Sequence, residues 1–503
     1  MVWLVGAFLL LWIALGPGVL LLAAALLAVP RIRWWVQDRV HVSRRVALRS
    51  AGALLAVGLV VVLVPDGWLP VPPAPGALAG PSYVGRPASA QPLPAEEVPQ
   101  NPHRSADDPA ARPGPLGRQP EVDTAWYGLQ RCGRLELTST EHLVGLCASG
   151  SGRSLRVIDP ETLRPVASHD VPDVPDAPDG AGCDGEAIYL DAADRAVLVT
   201  GERQVLAVRT ARDGEPDLGT DATWDLKPYV PYGDCLVTVA PDWSGRIWWA
   251  SHAGLVGTLD PATGQVGVAD LGERIGRDVA VDPRAAYVVT DEAVHRLVAG
   301  EDGTPQPTWR SAYDGGNGSE PVLVDGGALA LTDEVEERLG VRFVARDDGR
   351  TLCRQEVFEA GKGATDSPLA ALGSGVAVTN NAGYRSPRST LLGFTTRSGI
   401  ARVDLADGAC TLRWTSDVVS PSSGAVVSRA TGLLYAWTKR PSPAGVSAWY
   451  LTAVDAHTGR TKWGVRTGTG LLAGSDGSRI TLGRDGSAYA GTMSGIVRVH
   501  DRR

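Results

Sequence analysis

A short hairpin repeated along the C-terminal three quarters of the chain constrains the fold most. Its clearest copy is Trp449-Tyr-Leu-Thr-Ala-Val-Asp-Ala-His-Thr-Gly-Arg-Thr-Lys-Trp463. An apolar strand runs into an Asp-x-x-Thr-Gly turn and returns through a strand that ends in Trp. Weaker copies recur upstream, with turns at Asp159-Pro-Glu-Thr, Arg212-Asp-Gly214, Asp260-Pro-Ala-Thr-Gly264, Glu301-Asp-Gly303, Asp347-Asp-Gly349 and Ala406-Asp-Gly408. An eighth copy, Gly495-Ile-Val-Arg-Val-His-Asp501, stops at the turn. Asp accepts from the backbone two residues on, and Gly supplies the positive φ such a turn needs. A unit of about 48 residues with four short strands is a propeller blade.

The expectation is therefore an all-β chain folded as a β-propeller of eight blades, with seven as the alternative because the fourth and fifth copies are degenerate. The eighth copy lacks its outer strand. Residues 122–129, Val-Asp-Thr-Ala-Trp-Tyr-Gly-Leu, are expected to supply it and so remove a free sheet edge. Trp309, Trp414 and Trp463 end outer strands and are read as packing between blades rather than stacking on a ligand.

Upstream of the repeats the composition changes twice. Residues 2–29 carry no charge and are long enough to span a bilayer. Arg31, Arg33, Arg39, Arg44, Arg45 and Arg49 follow, against Asp38 alone, and a second apolar stretch covers 46–65. Basic loops stay in the cytoplasm. The reading is a first transmembrane helix over 1–30, a cytoplasmic loop over 31–45, a second helix over 46–65, and everything beyond outside the cytoplasm, at the cell membrane. A cleaved signal peptide is disfavoured because no basic residue precedes the apolar run. Residues 66–120 hold 14 prolines and read as an extended, solvated, extracytoplasmic linker, leaving the propeller to 121–503.

Net charge is -8, with no basic run in the repeats, so nucleic acid is not an expected partner. Lys227, Lys362, Lys439 and Lys462 are the lysines among 48 Lys and Arg, a bias of GC-rich genomes that points to an actinobacterial source. Cys132, Cys147, Cys183, Cys235, Cys353 and Cys410 form no Cys-x-x-Cys and suit disulfides outside the cytoplasm. Repeat register pairs them as 132–147, 183–235 and 353–410.

The last two copies, 451–463 and Asp485-Gly-Ser-Ala-Tyr-Ala-Gly-Thr-Met-Ser-Gly495, resemble the repeat of pyrroloquinoline-quinone-like (quinoprotein-type) propellers. Asp278-Val-Ala-Val-Asp-Pro-Arg-Ala-Ala-Tyr-Val-Val-Thr290 and Val376-Ala-Val-Thr-Asn-Asn-Ala-Gly-Tyr384 are similar to bacterial propellers of no known activity. Quinoprotein dehydrogenases of that superfamily hold their quinone with an adjacent Cys-Cys ring, a stacking Trp and a calcium site. This chain has no Cys-Cys pair, so no quinone is expected.

Catalytic signatures are sparse. There is no Gly-x-Ser-x-Gly, Walker loop or His-Glu-x-x-His. Asp170, Asp173, Asp176 and Asp179 are spaced by Val-Pro or Ala-Pro. Calcium is the one metal they leave open, although Pro at every third position spreads the carboxylates as in a solvated loop. Asn380, Asn381 and Tyr384 precede a long insertion, 385–396, where a propeller rim would carry ligand-binding groups; a plain turn is the alternative. The functional expectation is a membrane-anchored binding or scaffolding module, partnered by an envelope protein or a small ligand. The alternative is a propeller oxidoreductase or hydrolase. An enzyme should gather charged groups at one end of the channel; a scaffold should line it with small or apolar residues.

Overall fold

The computed structural model describes residues 7–502 except 13–15, 17, 40–44, 46–47, 50, 53–54, 57, 59–62, 77–78, 96, 106–108, 150–151, 173–186, 314–318 and 443–444. Its sheets are eight antiparallel blades. Blades 1 to 7 begin at Arg131, Ile188, Leu236, Ala280, Val322, Ala370 and Val426 and run outward in chain order. Blade 8 takes its inner three strands, Ile480–Leu482, Ala488–Thr492 and Gly495–Asp501, from the C-terminus. Pro120–Trp126 completes it, pairing antiparallel with the last strand from Pro120↔Asp501 to Trp126↔Gly495. The ring thus closes with eight blades by pairing distant parts of the chain, as the open eighth copy implied.

The strand sequences follow from where each strand sits. Second strands such as Ile247–Ser251 and Gly375–Thr379 are buried throughout. Each lies between two neighbouring blades, so both faces are apolar and the run is continuous rather than alternating. Outer strands such as Pro305–Ala312 alternate toward exposure. Each interface between adjacent blades carries its own buried cluster; that between blades 7 and 8 holds Trp437, Trp449 and Trp463. Trp309 Nε1 donates to Arg346 O at 3.0 Å and Trp414 Nε1 to Ala456 O at 3.0 Å, both in the turn of the next blade. The tryptophans are inter-blade packing, as their place in the repeat implied.

Two disulfides match the expected pairing. Cys132–Cys147 joins the first two strands of blade 1, with Cα atoms 4.0 Å apart. Cys353–Cys410 joins the outer strands of blades 5 and 6 across 5.6 Å. Cys235 is not a free thiol, but Cys183 lies outside the described residues. So do Asp173, Asp176 and Asp179.

The proline-rich stretch is not the solvated linker its composition suggested. Tyr83–Gly85 adds a fifth strand to blade 7. Ala79 and Ala88 are buried, and Tyr450 Oη donates to Pro81 O at 3.0 Å. Asp66 pairs with Arg156 at 2.7 Å, so chain docked on the propeller begins well before residue 121. Proline disfavours helix but not an extended ribbon laid on a surface, and composition alone does not separate the two.

At the N-terminus, helices cover Gly18–Ala28 and Pro30–Arg39. Among the described residues no single helix is long and apolar enough to cross a membrane. The pair Gly18–Ala28 and Pro30–Asp38 passes that test together, with a bend of 97°. Much of the expected second span, 46–65, lies outside the described residues.

Candidate functional site

The first strands of the eight blades touch one another in ring order and surround a central channel. At the end formed by the connections between blades, the channel opens into a cavity of about 550 Å³ lined by all eight blades. Here the charges converge. Arg134, on the inner strand of blade 1, donates from Nε to Glu136 Oε1 at 2.8 Å and from Nη1 to Asp278 Oδ2 at 3.2 Å. Arg479, entering blade 8, donates from Nη2 to Asp278 Oδ2 at 3.2 Å and to Glu320 Oε1 at 2.5 Å. Thr238 Oγ1 donates to Asp278 Oδ1 at 3.0 Å. Blades 1, 3, 4, 5 and 8 therefore meet through Arg134, Thr238, Asp278, Glu320 and Arg479. On the rim, Asp476 receives Arg131 Nη1 at 2.7 Å and Tyr384 Oη at 2.6 Å.

The two central carboxyls are driven apart. Burial pushes Asp278 up, but Arg479 and Arg134 outweigh it and hold its pKa below the ordinary carboxylate value. Glu320 is raised: burial dominates and the nearby Asp278 charge adds to it, with Arg479 and Arg134 only partly offsetting the two. These side chains keep 20–34% of their surface, because the mouth is open to water.

The opposite end of the channel is covered by the segment that composition marked as linker. Asn101 Nδ2 donates to Pro241 O at 2.7 Å. Ser105 N donates to Leu190 O at 2.9 Å, and Arg112 Nη1 to Leu482 O at 3.0 Å. Glu97 N reaches Asp325 Oδ1 at 2.7 Å. These contacts fall on the inner ends of blades 2, 3 and 8 and the first turn of blade 5. Arg104 stands 5.5 Å over the Tyr189 ring. Its pKa is lowered by burial first and by Arg134 second. At this end too the channel opens into a cavity, of about 410 Å³, between the ribbon and the inner ends of the blades.

Of the residues singled out in the sequence, the structure brings Tyr384 to this cavity and keeps Asn380 and Asn381 behind it. Asn381 Nδ2 donates to Ser420 O and Pro421 O at 3.0 and 3.1 Å, and its Oδ1 accepts from Thr365 and Ser367. Asn380 Nδ2 donates to Lys362 O and Ser398 O, and its Oδ1 accepts from two backbone amides. Both amides are spent on clamping the loop base. The sequence reading missed Arg134, Asp278, Glu320 and Arg479. Their signal was a charged residue one or two positions before the inner strand in copies 4, 5 and 8, visible only once the repeat register is fixed. Among the described residues no three His, Cys, Asp or Glu side chains gather as a metal site. The described lining holds neither Trp nor Cys.

Sheets, closure and channel define a β-propeller with a charged channel mouth. No family model matches the chain. A curated relative, an uncharacterized protein of Archaeoglobus fulgidus, is 26% identical over 326 residues, which is 54% of this chain and 62% of that protein. The match thus spans less than two thirds of that relative's length. Among solved structures, a catalytically inactive virginiamycin B lyase from Staphylococcus aureus with quinupristin aligns with a TM-score of 0.41 at 8% identity, covering 76% of this chain and 99% of that one. A functionally unknown protein from Desulfotomaculum acetoxidans aligns at 0.40 and 10%, covering 71% and 99%.

Proposed function

We propose that this chain is a binding module of the cell envelope, tethered to the membrane by its apolar N-terminus, with its propeller outside the cytoplasm. Its ligand is a small, hydrogen-bond-rich molecule of little net charge, held at the open mouth. The carrying observation is the network of Arg134, Asp278, Glu320 and Arg479. Its charges are already paired, so a strongly charged ligand would have to break a pair in a partly desolvated site. A neutral or zwitterionic ligand can bridge them. Disulfides between strands support an oxidising compartment, and the arginine bias supports an actinobacterial source. Likeness to pyrroloquinoline-quinone-like propellers is kinship of repeat, without the quinone.

A thermal-shift panel of neutral sugars, amino acids and inorganic anions tests this. The expected result is stabilisation by a neutral or zwitterionic class in the wild type and not in Arg479→Met. Stabilisation by anions alone, or equal shifts in both proteins, contradicts it.

One observation favours a second reading, an acid–base enzyme. Glu320 is raised and Asp278 lowered within one arginine's reach, the arrangement that separates a general acid from a base. Turnover of a bound compound, abolished in Glu320→Gln while binding persists, would establish it; binding without turnover leaves the module.

A further inference from the structure

The insertion 385–396 lengthens the loop between the second and third strands of blade 6 and stands on the open-mouth side beside blade 7. It is firmly held. Buried Lys439 donates from Nζ to Thr390 O at 2.7 Å and to Phe394 O. Ser447 Oγ donates to Thr390 O at 2.6 Å. Gly393, at φ 80, lies where a Cβ would stand 2.2 Å from Ser442 O. Yet the tip wastes apolar surface: Leu391, Leu392 and Phe394 are 37%, 42% and 68% exposed. Leu392 takes φ 53, a conformation side chains rarely adopt, and strain of that kind gathers at functional loops. Arg385, Arg388 and Arg397 are exposed around the tip.

A second apolar surface leaves from the same corner. Gly16, just before the helix Gly18–Ala28, rests against the blade 7 loop that holds the insertion. A Cβ on it would stand 2.5 Å from Val446 Cγ2, one residue from Ser447. In that helix Leu20, Leu21 and Leu22 are 46%, 57% and 60% exposed.

We propose that the 385–396 loop is a membrane wedge, whose Leu391, Leu392 and Phe394 enter the bilayer interface while the flanking arginines meet anionic headgroups. The occupant is a lipid surface because the apolar helix and the apolar tip with its basic flank both leave from the blade 7 loop, at Val446 and Ser447. The wedge rests on the membrane tether proposed above, with the lipid-facing stretch starting at the helix Gly18–Ala28 and not at residue 2, and it turns the open mouth of the channel toward the lipid.

The test places the photoreactive residue benzoylphenylalanine at 394, and separately at Val166 on the outer strand of blade 1, in the full chain. Each protein is reconstituted in vesicles of phosphatidylethanolamine and phosphatidylglycerol, floated, irradiated and analysed for adducts. The expected result is flotation with at least about tenfold more lipid adduct at 394 than at 166. Flotation without that excess, or adducts at 394 to a second copy of the chain, overturns the wedge and leaves the tether standing. Failure to float overturns the tether and the wedge with it.

Discussion

Lys439 shows how one residue can carry a measurable pH signature. It is 1% exposed, and burial pushes its pKa down to about 8 from 10.5. Below pH 8 it is charged both folded and unfolded, and the burial penalty is in full force. Between about 8 and 10.5 the unfolded chain holds the extra proton, so stability from this group rises with pH. The stability gap between wild type and Lys439→Met should move by about 2 kcal/mol in favour of the wild type from pH 7 to pH 9.5. Parallel melting curves measure it, and a gap independent of pH contradicts the assignment. In the channel mouth, Arg479→Met should cost about 3 kcal/mol or somewhat less, since Asp278 and Glu320 lose their shared partner in a site that still reaches water; denaturant unfolding reads it. Residue identity made Asn380, Asn381 and Tyr384 look alike as ligand groups. Only burial and partners separate the two clamps from the one side chain that faces the cavity.

Among elements, the turn between the third and fourth strands of each blade explains why the Asp-Gly motif was the legible part of the chain. In blades 5 and 7 it does two jobs at once. Gly459 has φ 71, and a Cβ there would stand 2.6 Å from the Trp414 ring of the preceding blade; Gly349 meets Trp309 in the same way. In blades 5 and 7 the glycine both makes the turn and seats the neighbour's tryptophan, while Gly214, Gly264 and Gly408 make the turn with open space around them. Gly459→Ala should destabilise by about 2–4 kcal/mol, from left-handed strain plus overpacking, as read by chemical denaturation. The disulfides act at this scale too. The Cys353–Cys410 link closes 57 residues and the Cys132–Cys147 link 15. Cys353→Ser with Cys410→Ser should cost about 4 kcal/mol and the shorter pair about 3; an inverted order would mean that the blade 5–6 staple constrains little. The proline-rich ribbon was illegible because its docking uses backbone groups, small side chains and scattered polar residues such as Asp66, Asn101 and Arg112, which leave no periodic pattern. Gly85, with φ 88, would place a Cβ 2.1 Å from Lys462 O. Gly85→Ala should therefore detach that strand, and faster amide exchange over 83–85 and 463–465 would show it.

For the molecule as a whole, repeat counting sufficed for the ring and its closure, because an incomplete last copy and a stray strand upstream fit one another. It did not yield the channel, which forms only when blades far apart in sequence face one axis. Charged groups do converge at one end, the pattern expected of an enzyme rather than a bare scaffold; that they are already paired with one another is what supports binding as the first reading. The other end is crossed by the chain's own N-terminal ribbon, which lines a second cavity there. On the proposed reading, ligand entry, the 385–396 loop and the apolar helix Gly18–Ala28 share one side of the ring. The most direct measurement is calorimetric titration of the best neutral or zwitterionic compound from the panel into wild type, Arg479→Met and Phe394→Ser. At least about tenfold weaker binding to Arg479→Met, with Phe394→Ser unchanged, is the expected result. Equal affinity in all three proteins would contradict a site at the channel mouth.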